Sequence, residues 1–355
     1  MLAPLRGARP ATLERFAALW HTVGLHCTKY HTSEGMLGKF LEKRMFKNLN
    51  PLAIGVSGRQ SELIELALTY GFKGIEIDLA DLVKRSQRAT FEKAARFLTS
   101  AKIKIGGFET PVDLDDDDTA YAAKLASLPE AAEIANRVAG STALIRIPSA
   151  TDRLPYHEFF EVVRKRIDEI AQAFAAQNLN LALAFSASSD SGLGKQFKFV
   201  NDVEGFLALF RACSAKNVGI ALDTWSFHVG GGTFEQLEEI PADRVFSLRV
   251  ADISDKVDLT KATNKNRLMP GIGGVIDNVK IVGHFAKAGY KGPITPMGHS
   301  NNTSGMTRDA LVSAAQDAID KVLQEAGVPT QTRKPEMFVE QSYSMSPMIS
   351  MGPMG

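Results

Sequence analysis

The sequence predicts an α/β fold: a closed (β/α)8 barrel in a single domain, with an N-terminal extension before it and a disordered C-terminal tail after it. Two observations carry that expectation. From Pro51 onward, short β-type runs alternate with amphipathic helical runs. Eight such units fit into roughly 275 residues, a count that suits a closed barrel better than an open sheet. Within the β-type runs, bulky apolar residues alternate with small or charged ones. That is the pattern of a strand with helices on one side and a lumen on the other.

Residues 1–48 precede the first unit. They are basic at Arg6, Arg9 and Arg15, and the Phe16–Trp20 stretch runs straight into His21, which makes a poor signal-peptide core. This segment reads either as a helical extension or as translated sequence upstream of a natural start at Met36 or Met45. The barrel is expected over 49–327, with strands beginning near Leu52, Gly74, Ile103, Ala143, Leu181, Val218, Val245 and Ile294. Between them lie helical sets such as Leu63, Leu66, Ala67 and Tyr70, and Val203, Phe206, Leu207 and Phe210. Asn201 with Glu204 and Thr233 with Gln236 have capping-box spacing, and Gly71 and Gly289 are placed as helix stops. Residues 328–355 read as a flexible tail, rich in Met, Ser, Pro and Gly from Ser342 on.

Composition narrows the function classes. The net charge is +1 and no Lys/Arg-dense run stands out, so the electrostatic footprint of a nucleic-acid partner is missing. The apolar runs are too short and interrupted to span a membrane. Two cysteines, Cys27 and Cys213, cannot build a disulfide framework, and Cys213 reads as a small core residue of a reducing, cytoplasmic protein.

Strand alternation also sorts the lumen. Ile75 and Ile77 face the helices, which turns Glu76 and Asp78 inward. The same parity turns Ala184, Asp223, Ser247 and Arg249 inward, together with Arg146 and Met297. Active sites of such barrels lie at the C-terminal ends of the strands, where several of these residues fall.

Several motifs then resemble one family. Gly71-Phe72-Lys73-Gly74-Ile75-Glu76-Ile77-Asp78 is similar to the entry into the second strand of sugar phosphate isomerases and epimerases of the xylose isomerase-like TIM barrel type. Asn217 to Trp225 resembles that family's sixth strand, and Pro241 to Phe246 its lead into the seventh. Pro270-Gly271-Ile272-Gly273 with Ile276-Asp277, and Gly289 to Pro293, are similar to its later loop and eighth-strand entry. The resemblance covers residues 50 to 325. It implies proton transfer next to a carbonyl, assisted by a divalent metal held by a Glu, an Asp, a His or Gln and a Glu on the last four strands.

Carried over position by position, only Asp223 remains of that set. Ala184 stands at the fifth strand, Arg249 at the seventh (Ser247 if the ligand lies two residues earlier) and Met297 at the eighth. Ala and Met offer no ligand to a hard cation, and an arginine repels one. The expectation is therefore no metal or other cofactor, and a small sugar or sugar phosphate as ligand, with association of copies left open.

Asp223, Glu76 and Arg249 are the candidate catalytic residues: Glu76 or Asp223 as base, Arg249 as an electrophile in place of the metal. Arg146, His228 and His299 are candidate ligand contacts. The competing reading pairs Asp223 with Arg249 in a closed salt-bridge cluster, which makes the barrel a catalytically inactive scaffold or partner-binding module. Glu109 reads as a rim carboxylate, the Asp115–Asp118 run as a solvated helix start, and the Gly230–Gly232 triplet as a turn or a backbone phosphate cradle.

Overall fold

The structure is a computed structural model and describes residues 45–332; the rest of the proposed N-terminal extension and the Met-rich tail lie outside the described residues. Eight parallel strands close into a barrel: β1 (Phe46–Leu49), β2 (Gly74–Ile77), β3 (Lys104–Glu109), β4 (Thr142–Arg146), β6 (Asn180–Ala184), β8 (Val218–Asp223), β9 (Val245–Val250) and β10 (Pro293–Pro296). Around the ring the order is β1-β10-β9-β8-β6-β4-β3-β2, sequential neighbours throughout once the short β5 (Ala150–Thr151) and β7 (Phe197–Lys198) are set aside. These two form an antiparallel ribbon of their own, outside the barrel sheet.

The helices are α1 (Gln60–Thr69), α2 (Leu79–Arg88), α3 (Phe91–Ser100), α4 (Asp118–Arg137), α5 (Tyr156–Ala175), α6 (Val203–Ala212), α7 (Thr224–Val229), α8 (Phe234–Glu238), α9 (Asn278–Lys287) and α10 (Arg308–Glu325). The apolar sets expected of α1 and α6 place Ala67, Val203, Phe206 and Leu207 in the core between helices and sheet. The Thr233–Gln236 capping box forms at the start of α8. At α6 the cap is Asp202, whose carboxylate accepts from Gly205 N, in place of the expected Asn201. Gly71 and Gly289 stop their helices at φ +74° and +86°, a left-handed backbone that glycine adopts without strain. No described helix is long and apolar enough to cross a membrane.

One strand is displaced from its expected place. The first runs over Phe46–Leu49 and so includes residues assigned above to the segment before the barrel, while Leu52–Ile54 is a single 3-10 turn. Phe-Lys-Asn-Leu hides its strand character because both middle residues are polar. Lys47 faces the helix layer and pairs with Asp320 of α10, and Asn48 faces the lumen and donates to Thr295 Oγ1 at 2.9 Å. A Cβ on Gly106 would lie 1.9 Å from Asn48 Oδ1, so the lumen admits this amide only because β3 carries glycine there.

The lumen is asymmetric. Leu144, Ala182 and Ala221 pack together on the β4, β6 and β8 side. The β1, β2, β9 and β10 side carries Asn48, Glu76, Ser247, Arg249 and Thr295 instead.

Candidate functional site

At the C-terminal ends of the strands, sequence parity is largely obeyed. Asp223 and Arg249 are register partners on β8 and β9. They do not form the ion pair expected of them. The Arg249 guanidinium reaches across the lumen to β2, where Nη2 lies 2.8 Å from Glu76 Oε2, and the side chains are only 7% and 9% exposed. Asn50 Nδ2 donates to the same carboxylate oxygen at 2.6 Å. Among the described residues Arg249 is the cation paired with Glu76, and a carboxylate this buried needs one.

Asp223 is held by Arg267, whose Nη1 lies 2.8 and 2.6 Å from its two oxygens. Asp223 also caps α7 by accepting from Ser226 N at 3.0 Å. The Arg267 guanidinium lies over the Trp225 ring, 4.7 Å from its centroid. Arg267 belongs to the long loop after β9 and was not among the residues the sequence singled out. Its only signal was a cation beside the Pro270-Gly271 motif.

Electrostatics follow burial. Desolvation pushes the Glu76 carboxyl above the ordinary range; Arg249 opposes this, and the charge of Glu109 adds to it. Burial works against the Arg249 charge, yet Glu76, Glu109 and Asp223 together hold its pKa above the usual value. The Glu76–Arg249 pair is incompletely bonded. Glu76 Oε1 and Arg249 Nε are buried without a hydrogen-bond partner, as are Ser247 Oγ and Asn48 Oδ1 in the same half of the lumen.

The remaining candidates separate. Asp78 leaves the lumen, because β2 ends at Ile77 and the Asp78 carboxylate caps α2 by accepting from Asp81 N. Arg146 stays at the mouth but is exposed, 3.8 Å from Glu109. His228 lies in α7, half-buried, with Nε2 unpartnered; burial lowers its pKa and Asp252 opposes this. His299 Nδ1 accepts from Asn301 N and so shapes the turn after β10. The glycine triplet forms the turn between α7 and α8; a Cβ on Gly232 would strike the Phe227 ring.

The four strand-end positions named by the resemblance hold Ala184, Asp223, Arg249 and Met297, and Met297 is buried. With both Asp223 oxygens bonded to a guanidinium, this donor set does not fit a divalent cation. No group of three or more His, Cys, Asp or Glu among the described residues could hold a metal ion.

An open cleft of about 440 Å³ lies beside the axis, over the ends of β3, β4 and β6. Its walls are the loop 109–115 and the loop 186–195. Lys195 of the second loop bonds Asp115 of the first. The Asp115–Asp118 run is thus more than a solvated helix start: Asp117 caps α4, and Asp118 binds Arg153 and Arg166.

Comparison with known proteins places the architecture. The family model described as xylose isomerase-like TIM barrel matches residues 64–322. An inosose isomerase of Bacillus velezensis is 22% identical over 215 residues, which is 60% of this chain and 74% of that protein. A xylose isomerase domain protein of Alicyclobacillus acidocaldarius superposes with a TM-score of 0.71 at 18% identity, over 80% of this chain and 99% of that one. The IolI protein, crystallised with a bound zinc atom, superposes with a TM-score of 0.69 at 17% identity, over 79% and 99%. At these identities the structural likeness speaks for the fold.

Proposed function

The chain belongs to the xylose isomerase-like TIM barrel family of sugar isomerases and epimerases, and from that premise we propose that its mouth binds a small sugar or sugar-phosphate-like compound and moves a proton next to its carbonyl without a metal ion. One observation carries this reading. The Glu76–Arg249 pair is buried at the strand ends but keeps one carboxylate oxygen and one guanidinium N–H unbonded. Buried polar atoms in native proteins nearly always have partners, and a ligand supplies the ones missing here.

The chemistry follows from those two atoms. Glu76 Oε1 takes the proton from the carbon beside the carbonyl. The electron pair of the broken C–H bond forms the C=C bond of an enediol(ate), and the carbonyl oxygen takes up the displaced charge opposite Arg249 Nε–H. Return of the proton to the neighbouring carbon, with the hydroxyl proton passing to the former carbonyl oxygen, gives the isomer; return to the original carbon from the opposite face gives the epimer. A carboxyl pushed above its ordinary range is a better base once ionised and can hold the proton between steps. Arg249 acts as the fixed electrophile. Asp223 holds Arg267 at the strand ends, and Arg146, His228 and His299 are the proposed ligand contacts.

A second reading has its own support. Arg249 and Arg267 are each already paired, which is the closed arrangement of a barrel used as a scaffold. Solvent exchange separates the two. In deuterated water the protein should exchange the proton beside the carbonyl of a ketose probe such as D-fructose, and Glu76→Gln should slow this by about 10²-fold or more. Metal analysis of the purified protein should find no stoichiometric ion, and a chelator should leave the exchange rate unchanged. Stoichiometric metal at Asp223 overturns the metal-free reading. A wild-type protein that neither binds nor exchanges the probe supports the scaffold.

A further inference from the structure

We infer that a cleft at the N-terminal ends of β3 and β4, at the end of the barrel away from the mouth, binds a small amphipathic anion: an apolar body carrying one carboxylate. This site is independent of the function proposed for the mouth. The cleft has a volume of about 440 Å³, in the range of small-molecule sites. It lies between the turn that joins α3 to β3 and the turn that joins α4 to β4.

The floor is apolar. Leu98, Ile103, Ile105 and Val138 line it and are buried, with Phe46 half-buried beside them. The charges at the rim have one sign. Lys102, Lys104 and Arg137 line the cleft, and no lining residue carries a carboxylate. Arg137 has Glu92 at 3.1 Å, but both members are exposed and water weakens such a pair. Lys102 and Lys104 form no ion pair among the described residues. Lys104 Nζ lies instead over the Phe46 ring, 4.8 Å from its centroid, so that charge and apolar surface meet. The equally large cleft over β3, β4 and β6 is the converse, since its Lys124, Arg146 and Lys195 each face a carboxylate. Cations beyond a helix C-terminus answer the helix dipole, which accounts for Arg137 and Lys102. It does not account for Lys104, the first residue of a strand.

The backbone supplies a separate observation. Among the described residues other than glycine, positive φ occurs at Lys102 (52°), Ala139 (58°) and Asn178 (57°). Asparagine takes this conformation readily, whereas lysine and alanine take it against their preference. Lys102 and Ala139 both line this cleft. Glycine is the usual residue at such helix ends, and Gly71 and Gly289 serve the corresponding turns before β2 and β10. A glycine at 102 would ease the turn and give up the rim charge. The strained lysine keeps a cation where an anionic ligand uses one.

Titration calorimetry of the full chain with octanoate, octan-1-ol and acetate tests this. Octanoate should bind at least about tenfold more tightly than either, since the alcohol lacks the charge and acetate lacks the apolar body. Lys102→Gln and Lys104→Gln should each weaken octanoate by about threefold or more. Lys102→Gly should weaken it too while raising the midpoint of urea denaturation, because the strain at this turn is removed. A variant that merely disturbs the fold does not raise stability and lower affinity together. Arg146→Gln, at the mouth, should leave octanoate binding unchanged. Equal binding of octan-1-ol or acetate, no octanoate binding at roughly 10 mM, unchanged affinity in both glutamine variants of the lysines, or a loss in Arg146→Gln overturns the site.

Discussion

Two buried ion pairs in this barrel are built to different standards. On the outer side of β1, Lys47 Nζ lies 2.8 Å from Asp320 Oδ1, with side chains 6% and 4% exposed. Lys47 also donates to Gln331 O, and the Asp320 carboxylate accepts from the hydroxyls of Thr330 and Thr332. Neither member leaves a buried atom unbonded. At the mouth, the equally buried Glu76–Arg249 pair keeps Oε1 and Nε without partners. The first arrangement is what a charge pair needs in order to survive inside a protein. The second leaves two buried atoms short of bonds, and the function proposed for the mouth rests on that shortfall.

Breaking the closed pair should have the largest effect. Lys47→Ala leaves Asp320 buried with two hydroxyl donors and no cation, and should cost about 3–5 kcal/mol in urea denaturation. The double replacement Lys47→Met with Asp320→Leu should recover most of that loss, since the pair is then removed whole.

Arg249→Met should cost less, about 2–3 kcal/mol at neutral pH, because Glu76 can escape by taking up a proton. The direction with pH is fixed. A carboxyl whose folded pKa is raised contributes its full stability below the unfolded pKa and loses it as pH rises through the folded one. Without Arg249 to hold it down, the Glu76 pKa climbs further. Arg249→Met should therefore be more destabilised at pH 8 than at pH 5, as denaturation curves at the two pH values can check. A loss that grows toward acid pH would contradict this assignment of the pair.

The smallest effect belongs to pairs in water. Arg211→Gln removes an ion pair to Glu239 whose members are 61% and 64% exposed, and should shift stability by no more than about 0.5 kcal/mol. A larger shift would mean that position, and not bonding, decides what an ion pair is worth here.

Much of the barrel could be read from the chain, because alternation in a parallel strand is imposed by the helices outside it. Ile75, Ile77, Val218, Ile220 and Leu248 mark the outer face, and that was enough to turn Glu76, Asp223 and Arg249 inward. Alternation failed where another demand outweighed it. Lys47 sits on the helix side because α10 offers Asp320, a partner that lies 273 residues away in sequence. Asp78 follows the parity of β2 but belongs to the next element as its cap. Pairing was harder to read than facing. Parity says that Asp223 and Arg249 are neighbours, but a guanidinium on a long stem chooses among all the carboxylates within reach. The arginine that holds Asp223 comes from a loop, where no periodicity reports direction.

Arg249 and Arg267 bring two positive charges to the mouth that are part of the polypeptide itself. They are present from synthesis at fixed stoichiometry, and they cannot be exchanged for another ion or removed by a competing chelator. They remain charged at any pH in which the fold survives. Any chemistry at this mouth that depends on them is independent of the supply of an external cation, and can be altered only by changing the sequence.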